Sequence, residues 1–235
     1  MTWAVPAPRW DTMAGRVLDA FFAAVHQHLP DYDQPLTVFG SAPVQLCLDE
    51  EFLSADADVM VLSNAEDLRR IAGQLSRAAG VQARLMHGVQ VCPSHWFRTT
   101  PHYLARAHIE TRHGLRIIVP HVRDILIGKL HRARSDGQSG LVAKDLRAFV
   151  RVRQLCGGHP DEAELLDDLR ACEPFFRPPN AGEVNAFRLN VMDLWQQLFG
   201  RTLNIKTEIL TPAQIAIRAD SSVQERLDGL QPSRD

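Results

Sequence analysis

Two aspartates, Asp56 and Asp58, stand one residue apart at the start of an apolar run that continues to Leu62. In an extended strand, residues i and i+2 point to one side, so the two carboxylates project together. Side by side they repel unless a proton or a cation lies between them. Hard oxygen donors of this kind suit Mg2+, which takes one or two protein carboxylates and completes its shell with phosphate oxygens and water. The competing reading is a solvated loop whose acids merely mark the start of a buried strand. Upstream, a shorter apolar run (Leu36, Val38, Phe39) stops at Gly40-Ser41. A helix-compatible stretch, Ala42 to Leu48, and an acidic loop, Asp49-Glu50-Glu51, separate the two runs.

Two further polar residues occupy positions where helical spacing calls for apolar ones. On a helix from Val122 to Arg134, Lys129 falls among Val122, Ile125, Leu126 and Ala133, while Arg123, Asp124 and His131 take the opposite side. A lysine in the middle of an apolar face must reach water or meet an anion. On the next helix, Leu141 to Leu155, Asp145 falls among Leu141, Ala148, Phe149 and Val152, beside a separate basic stripe of Lys144, Arg147 and Arg151. Aspartate is seldom buried unless paired. Either Lys129 and Asp145 pair with each other between helices, or both point into one cleft, Lys129 towards nucleotide phosphates and Asp145 towards a metal or a partner base.

The elements that must hold these residues fall into two stretches. A helix capped by Asp11 carries Met13, Val17, Phe21, Ala24 and Val25, and Pro30 ends it. After the acid pair, Asn64 caps a helix to Ala79, which Gly80 stops; strands follow at Val81 to Met86 and Gly88 to Cys92, around a turn at His87-Gly88. Ala107 to Thr111 and Leu115 to Val119 form a hairpin around Arg112-His113-Gly114. From His121 onward the pattern is helical: the two helices above, an acidic helix from Pro160-Asp161-Glu162 to about Cys172, and a long one around Val184 to Phe199. Residues Glu173 to Gly182, with three prolines, link the last two, and Thr211-Pro212 starts one more. This predicts an α+β fold with a core over residues 1–120, including the N-terminal helix, and a helical region over 121–235 that completes the cleft.

Composition narrows the class. With 235 residues, 45% hydrophobic and 23% charged, the chain suits a globular protein with a substantial core. No apolar run approaches the roughly 20 residues that span a bilayer, and the N-terminus lacks the basic start and apolar core of a signal peptide. No membrane association and a cytosolic location are the expectation. Four dispersed cysteines with no C-x-x-C give neither a zinc site nor a disulfide framework, and no two of the ten histidines stand four apart. The net charge of −2 conceals an asymmetry: residues 98–153 carry +8 and the rest −10. A basic stretch of this size suits an anionic ligand such as a nucleotide or RNA, or else balances the acidic part internally.

Phe39-Gly40-Ser41 followed by Asp56-Ala57-Asp58-Val59 resembles the signature of the nucleotidyltransferase superfamily, the fold of polymerase beta and kanamycin nucleotidyltransferase. Its pattern is apolar-Gly-[Gly/Ser], about ten residues, then Asp-apolar-[Asp/Glu]-apolar. Here the gap, Ala42 to Ala55, is slightly longer, and Ala57 is smaller than the common Ile or Val. Ser54, two residues before the first aspartate, also fits. Ile127-Gly128-Lys129-Leu130 and Ala143-Lys144-Asp145-Leu146 resemble the later motifs of its AbiEii-type branch, which includes the MenT toxins of type IV toxin–antitoxin systems. The resemblance runs from about Leu36 to Val150.

It implies a mixed sheet with flanking helices, with Gly40 and Ser41 at the nucleotide and Ser41 holding the terminal phosphates. Asp56 and Asp58 would bind two Mg2+, Lys129 would contact a phosphate, and Asp145 would match the acid of the last motif. The family's third carboxylate has no clear counterpart on Leu115 to Val119, where Arg116 is the only polar residue; Glu110, on the preceding strand, is the available substitute as a metal ligand. The implied activity is transfer of a nucleoside monophosphate from an NTP to a hydroxyl on a tRNA 3′ end, a protein or a small molecule, with a possible antitoxin partner. The alternatives are a catalytically silent module of the same fold, which binds nucleotide, RNA or a partner, and a purely structural partner subunit.

Overall fold

The computed structural model describes residues 3–52, 56–78, 88–94, 97–131, 143–172 and 181–210. The strand expected at Val81 to Met86, the stop at Gly80, the turn residue His87, the end of the helix beyond His131, the start at Leu141, most of the proline-rich linker and the helix start at Thr211 lie outside them. The chain divides into two compact units, Met1–Lys129 with Ala143–Asp161, and Leu130–Val142 with Glu162–Asp235. The division therefore falls later than residue 120, because the helices bearing Lys129 and Asp145 belong with the sheet.

The sheet unit runs α1 (Met13–His28), β1 (Leu36–Phe39), α2 (Ala42–Cys47), β2 (Asp56–Val61), α3 (Ala65–Ala78), β3 (Gly88–Pro93), α4 (Tyr103–Arg106), β4 (His108–Arg112), β5 (Leu115–Val119), α5 (Val122–Leu130) and α6 (Ala143–Leu155). Helix α1 starts one residue later than its sequence suggests: Thr12, not Asp11, is the cap, and its hydroxyl accepts from Gly15 N at 3.1 Å. The five strands form one mixed sheet in the order β3-β2-β1-β5-β4. Strand β1 is antiparallel to β2 and parallel to β5, β2 is parallel to β3, and β4 is antiparallel to β5. The β4–β5 hairpin turns on His113 (φ 49) and Gly114 (φ 76), the two left-handed positions of a type I′ turn. Arg112 is thus in the strand and not in the turn. The whole is an α+β architecture.

Register fixes which side chains share a face, since directly paired residues point the same way and alternate residues oppositely. Leu36, Val38, Ala57, Val59, Val61 and Ile117 make one face, all at most 3% exposed. Buried Leu18, Phe21, Phe22 and Val25 of α1, and Leu68, Ile71 and Ala72 of α3, belong to the core on this side. Arg112 on the same face donates to Asp19 of α1 at 2.6 Å. The other face carries Phe39, Asp56, Asp58, Met60, Cys92 and Ile118.

Helix α5 is buried on nearly all sides, which its sequence does not announce. Arg123 and Asp124, assigned to the side away from the apolar residues, are 8% and 0% exposed. Asp124 is offset by a cation: Arg106 Nε and Nη2 donate to its two oxygens at 3.0 and 2.5 Å, Thr100 donates to it as well, and Thr99 Oγ1 donates to its carbonyl at 2.9 Å. A carboxylate so held can be buried where a lone one cannot. These bonds fasten residues 97–106, a segment without a periodic signal, to α5.

The second unit contains α7 (Glu162–Ala171), α8 (Ala181–Phe199) and a short wide turn at Ile205–Ile209. Helix α8 begins three residues before Val184. Leu165, Leu169, Phe187, Val191, Leu194 and Trp195 are buried. Glu162 accepts from Trp195 Nε1 and Arg201 Nε, and Arg201 reaches on to Glu208. His131 stacks on Phe187, with ring centroids 4.1 Å apart. Among the described residues, no helix is long and apolar enough to cross a membrane.

Candidate active site

Strand β1 ends in Gly40, whose φ of 69° lies in the left-handed region that glycine tolerates at little cost. The residue type is needed for a second reason. A Cβ on Gly40 would stand 1.9 Å from Asp58 Oδ2, so the carboxylate of β2 lies directly against the bare backbone at the end of β1. Phe39 is Asp58's cross-strand partner. Asp56 lies two residues back on the same face, half-buried like Asp58. Both carboxylates therefore share one side of the sheet beside Gly40-Ser41, as the i, i+2 spacing predicts.

The acid pair charges its surroundings. Cys92 Sγ stands 4.0 Å from Asp58 Oδ1. Burial, with the negative charges of Asp58 and Asp56 adding to it against Arg69, pushes the Cys92 thiol up to about 12. Both effects favour the protonated thiol.

Ser41 sits at the head of α2 but makes no side-chain cap; Pro43 in the first turn removes one of the backbone donors a cap would serve. Its hydroxyl instead accepts from Lys129 Nζ at 3.0 Å, and Lys129 Nζ lies 3.4 Å from Asp145 Oδ1. The side chains of Lys129 and Asp145 are 9% and 3% exposed. Of the two sequence readings of this pair, the pairing is the one seen: the two charges meet between α5 and α6, and the lysine also reaches Ser41. Continuous contact thus runs from Asp58 through Gly40-Ser41 to Lys129 and Asp145, uniting β2, β1, α5 and α6. The arrangement offers a cation beside a hydroxyl, next to two carboxylates on a strand. The two carboxylates are hard oxygen donors, the type that a divalent cation takes.

Glu110 does not belong to it. Its pairing with Ile117 puts it on the face opposite Asp56 and Asp58, on the edge strand β4, with β5 and β1 between β4 and β2. Its carboxylate lies 3.1 Å from His108 Nε2 and 3.6 Å from Arg112 Nη1. As a metal ligand alongside the aspartates it is ruled out by strand parity.

Residues 97–106, which carry no periodic signal in the sequence, reach the site from the side. Phe97 packs edge-on against Phe39 (centroids 5.6 Å apart) and Tyr103 against Phe97 (5.0 Å). Arg98 O lies so close to α5 that a Cβ on Gly128 would be 2.4 Å away. The available signal was that Gly128, a poor helix residue, directly precedes the misplaced Lys129. A groove lined by Arg69, Gly73, Ser76, Val89 and Val91 lies between α3 and β3, on the other face of the sheet, and takes no part.

No family model, curated protein or solved structure matches this chain. The class that fold and site define is an α+β protein whose mixed five-stranded sheet carries a paired-carboxylate cluster next to a Gly-Ser turn and a buried lysine.

Proposed function

We propose that the chain is a Mg2+-dependent nucleotidyltransferase with a nucleotidyltransferase-type core, acting on an NTP. The observation that carries this reading is Asp58 seated against Gly40, with Ser41 held by Lys129. The signature that suggests the superfamily is split between β1 and β2, and this contact joins its halves. The order Gly-Ser turn, short helix, then an antiparallel strand bearing both aspartates supports the same reading. Mg2+ on Asp56 and Asp58 would supply charge neutralisation of the triphosphate and activation of the attacking oxygen. Lys129 and the Ser41 hydroxyl bind the terminal phosphates, and Asp145 holds Lys129 in place. An acceptor hydroxyl oxygen forms a bond to the α-phosphorus, the bond to the bridging oxygen breaks, pyrophosphate leaves, and the hydroxyl proton passes to a nearby carboxylate or water. The acceptor is a hydroxyl of tRNA, of a protein or of a small molecule. The resemblance to MenT-type toxins adds a role as the toxin of a type IV pair, restrained by an antitoxin.

The test is to offer α-labelled and γ-labelled NTPs with Mg2+ and a lysate's RNA and protein. Label retained from the α but not the γ position is the expected result; retention of the γ label would mean phosphoryl transfer and overturn the reading.

A second reading is a silent module that binds nucleotide without turnover. It is favoured by the opposed placement of Glu110 and by strand β5, whose sequence Leu115-Arg116-Ile117-Ile118-Val119 has no carboxylate. Calorimetric binding of all four NTPs with no label transfer would select it.

A further inference from the structure

We propose that Phe39, Phe97 and Tyr103 form the nucleobase platform of this site, an inference that rests on the nucleotide reading above. Phe39 is the bridge. It shares a face with Asp58 as its direct cross-strand partner, and such partners have Cβ atoms about 5 Å apart. Phe97 and Tyr103 extend the aromatic surface away from it in successive edge-to-face contacts. All three residues are half-buried, so each retains some exposed surface.

The platform is also tied to α5. Residues 97–106 are fixed by the Asp124 cluster, with Thr99, Thr100 and Arg106 all bonded to α5. Arg98 O is pressed into the gap left by Gly128, the residue before Lys129. The aromatic wall and the phosphate-binding lysine are therefore set by the same helix, and a flat apolar group next to the triphosphate has a preorganised surface to cover. The ordering cost that weakens adaptable sites is met in advance. Stacking uses the π-face that every base has, and of the three side chains only Tyr103 carries a polar atom. Such a platform holds purines and pyrimidines alike.

Calorimetric titration of the full chain with MgATP, MgGTP, MgCTP and MgUTP, and with magnesium tripolyphosphate, tests this. The variants are Phe97→Leu, which keeps bulk without an aromatic face, and Phe97→Tyr, which restores the ring. The wild-type chain is expected to bind each nucleotide more tightly than tripolyphosphate. Phe97→Leu should weaken every nucleotide about tenfold, as loss of one stacking contact does, leave tripolyphosphate unchanged, and be rescued by Phe97→Tyr. Equal weakening of nucleotide and tripolyphosphate would make the rings merely structural and overturn the platform, as would nucleotides bound no tighter than tripolyphosphate. If neither ligand binds the wild-type chain, the nucleotide reading itself fails and the platform falls with it.

Discussion

Asp58 occupies the space in which a side chain at position 40 would begin: a Cβ on Gly40 would meet its Oδ2 at 1.9 Å. The left-handed backbone of Gly40 and the direction of the acid are a single feature. Gly40→Ala adds both a strained φ and a collision, together worth about 2–4 kcal/mol of stability. The urea midpoint should fall by a corresponding amount. In whatever fraction remains folded, Mg2+–nucleotide binding should be lost, because the carboxylate must swing away.

Lys129 and Asp145 give a prediction that separates fold from function. Removing one charge of a buried pair strands the other, so Asp145→Leu alone should cost about 3–5 kcal/mol. Lys129→Met with Asp145→Leu replaces both by apolar groups of similar size and should recover most of that loss. Nucleotide binding should be absent from the stable double variant. A double variant that still binds nucleotide would remove Lys129 from the site.

Glu110→Gln is the counterpart. With its carboxylate on the far face, between His108 and Arg112, the substitution should leave Mg2+–nucleotide affinity within a factor of two. Surface pairs of this kind are worth about 0–1 kcal/mol, so thermal stability should change little.

Much of this site was legible in the sequence because it depends on parity and local turns. The i, i+2 spacing puts Asp56 and Asp58 on one face in any strand, Gly40 marks the end of β1, and His113-Gly114 sets the hairpin. What was not legible depends on long-range register. Glu110 changes sides only once β5 is paired with β1, a contact between residues some eighty positions apart. Residues 97–106 have no period because hydrogen bonds to Asp124 hold them in place of a packed stripe. For the same reason Asp124, which helical spacing assigns to the side away from the apolar residues, is buried.

Gly128→Ala tests that arrangement. Helix propensity alone would make alanine the better residue by about 1 kcal/mol. The contact with Arg98 O reverses the sign, since neither backbone can yield cheaply, and a net loss of about 1–2 kcal/mol is expected. A higher melting temperature for Gly128→Ala would show that residues 97–100 do not bear on α5.

Asp19 links α1 to the hairpin. Burial would raise its pKa, but hydrogen bonds from Arg112 and His113, and their charges, outweigh burial and hold the carboxyl below its ordinary 3.8. A depressed folded pKa contributes stability that is present above the unfolded value and lost as pH falls through the folded one. Unfolding midpoints measured from pH 6 downward should therefore drop below about pH 4, and more shallowly for Asp19→Asn. Identical slopes for the two chains would contradict the pairing.

The most direct test of the central claim is label transfer from α-labelled NTP in the presence of Mg2+, comparing the wild-type chain with Asp58→Ala and Asp56→Ala after circular dichroism shows both variants folded. The account predicts transfer by the wild-type chain and none above background by either variant. Mg2+-dependent transfer that survives both substitutions would contradict it.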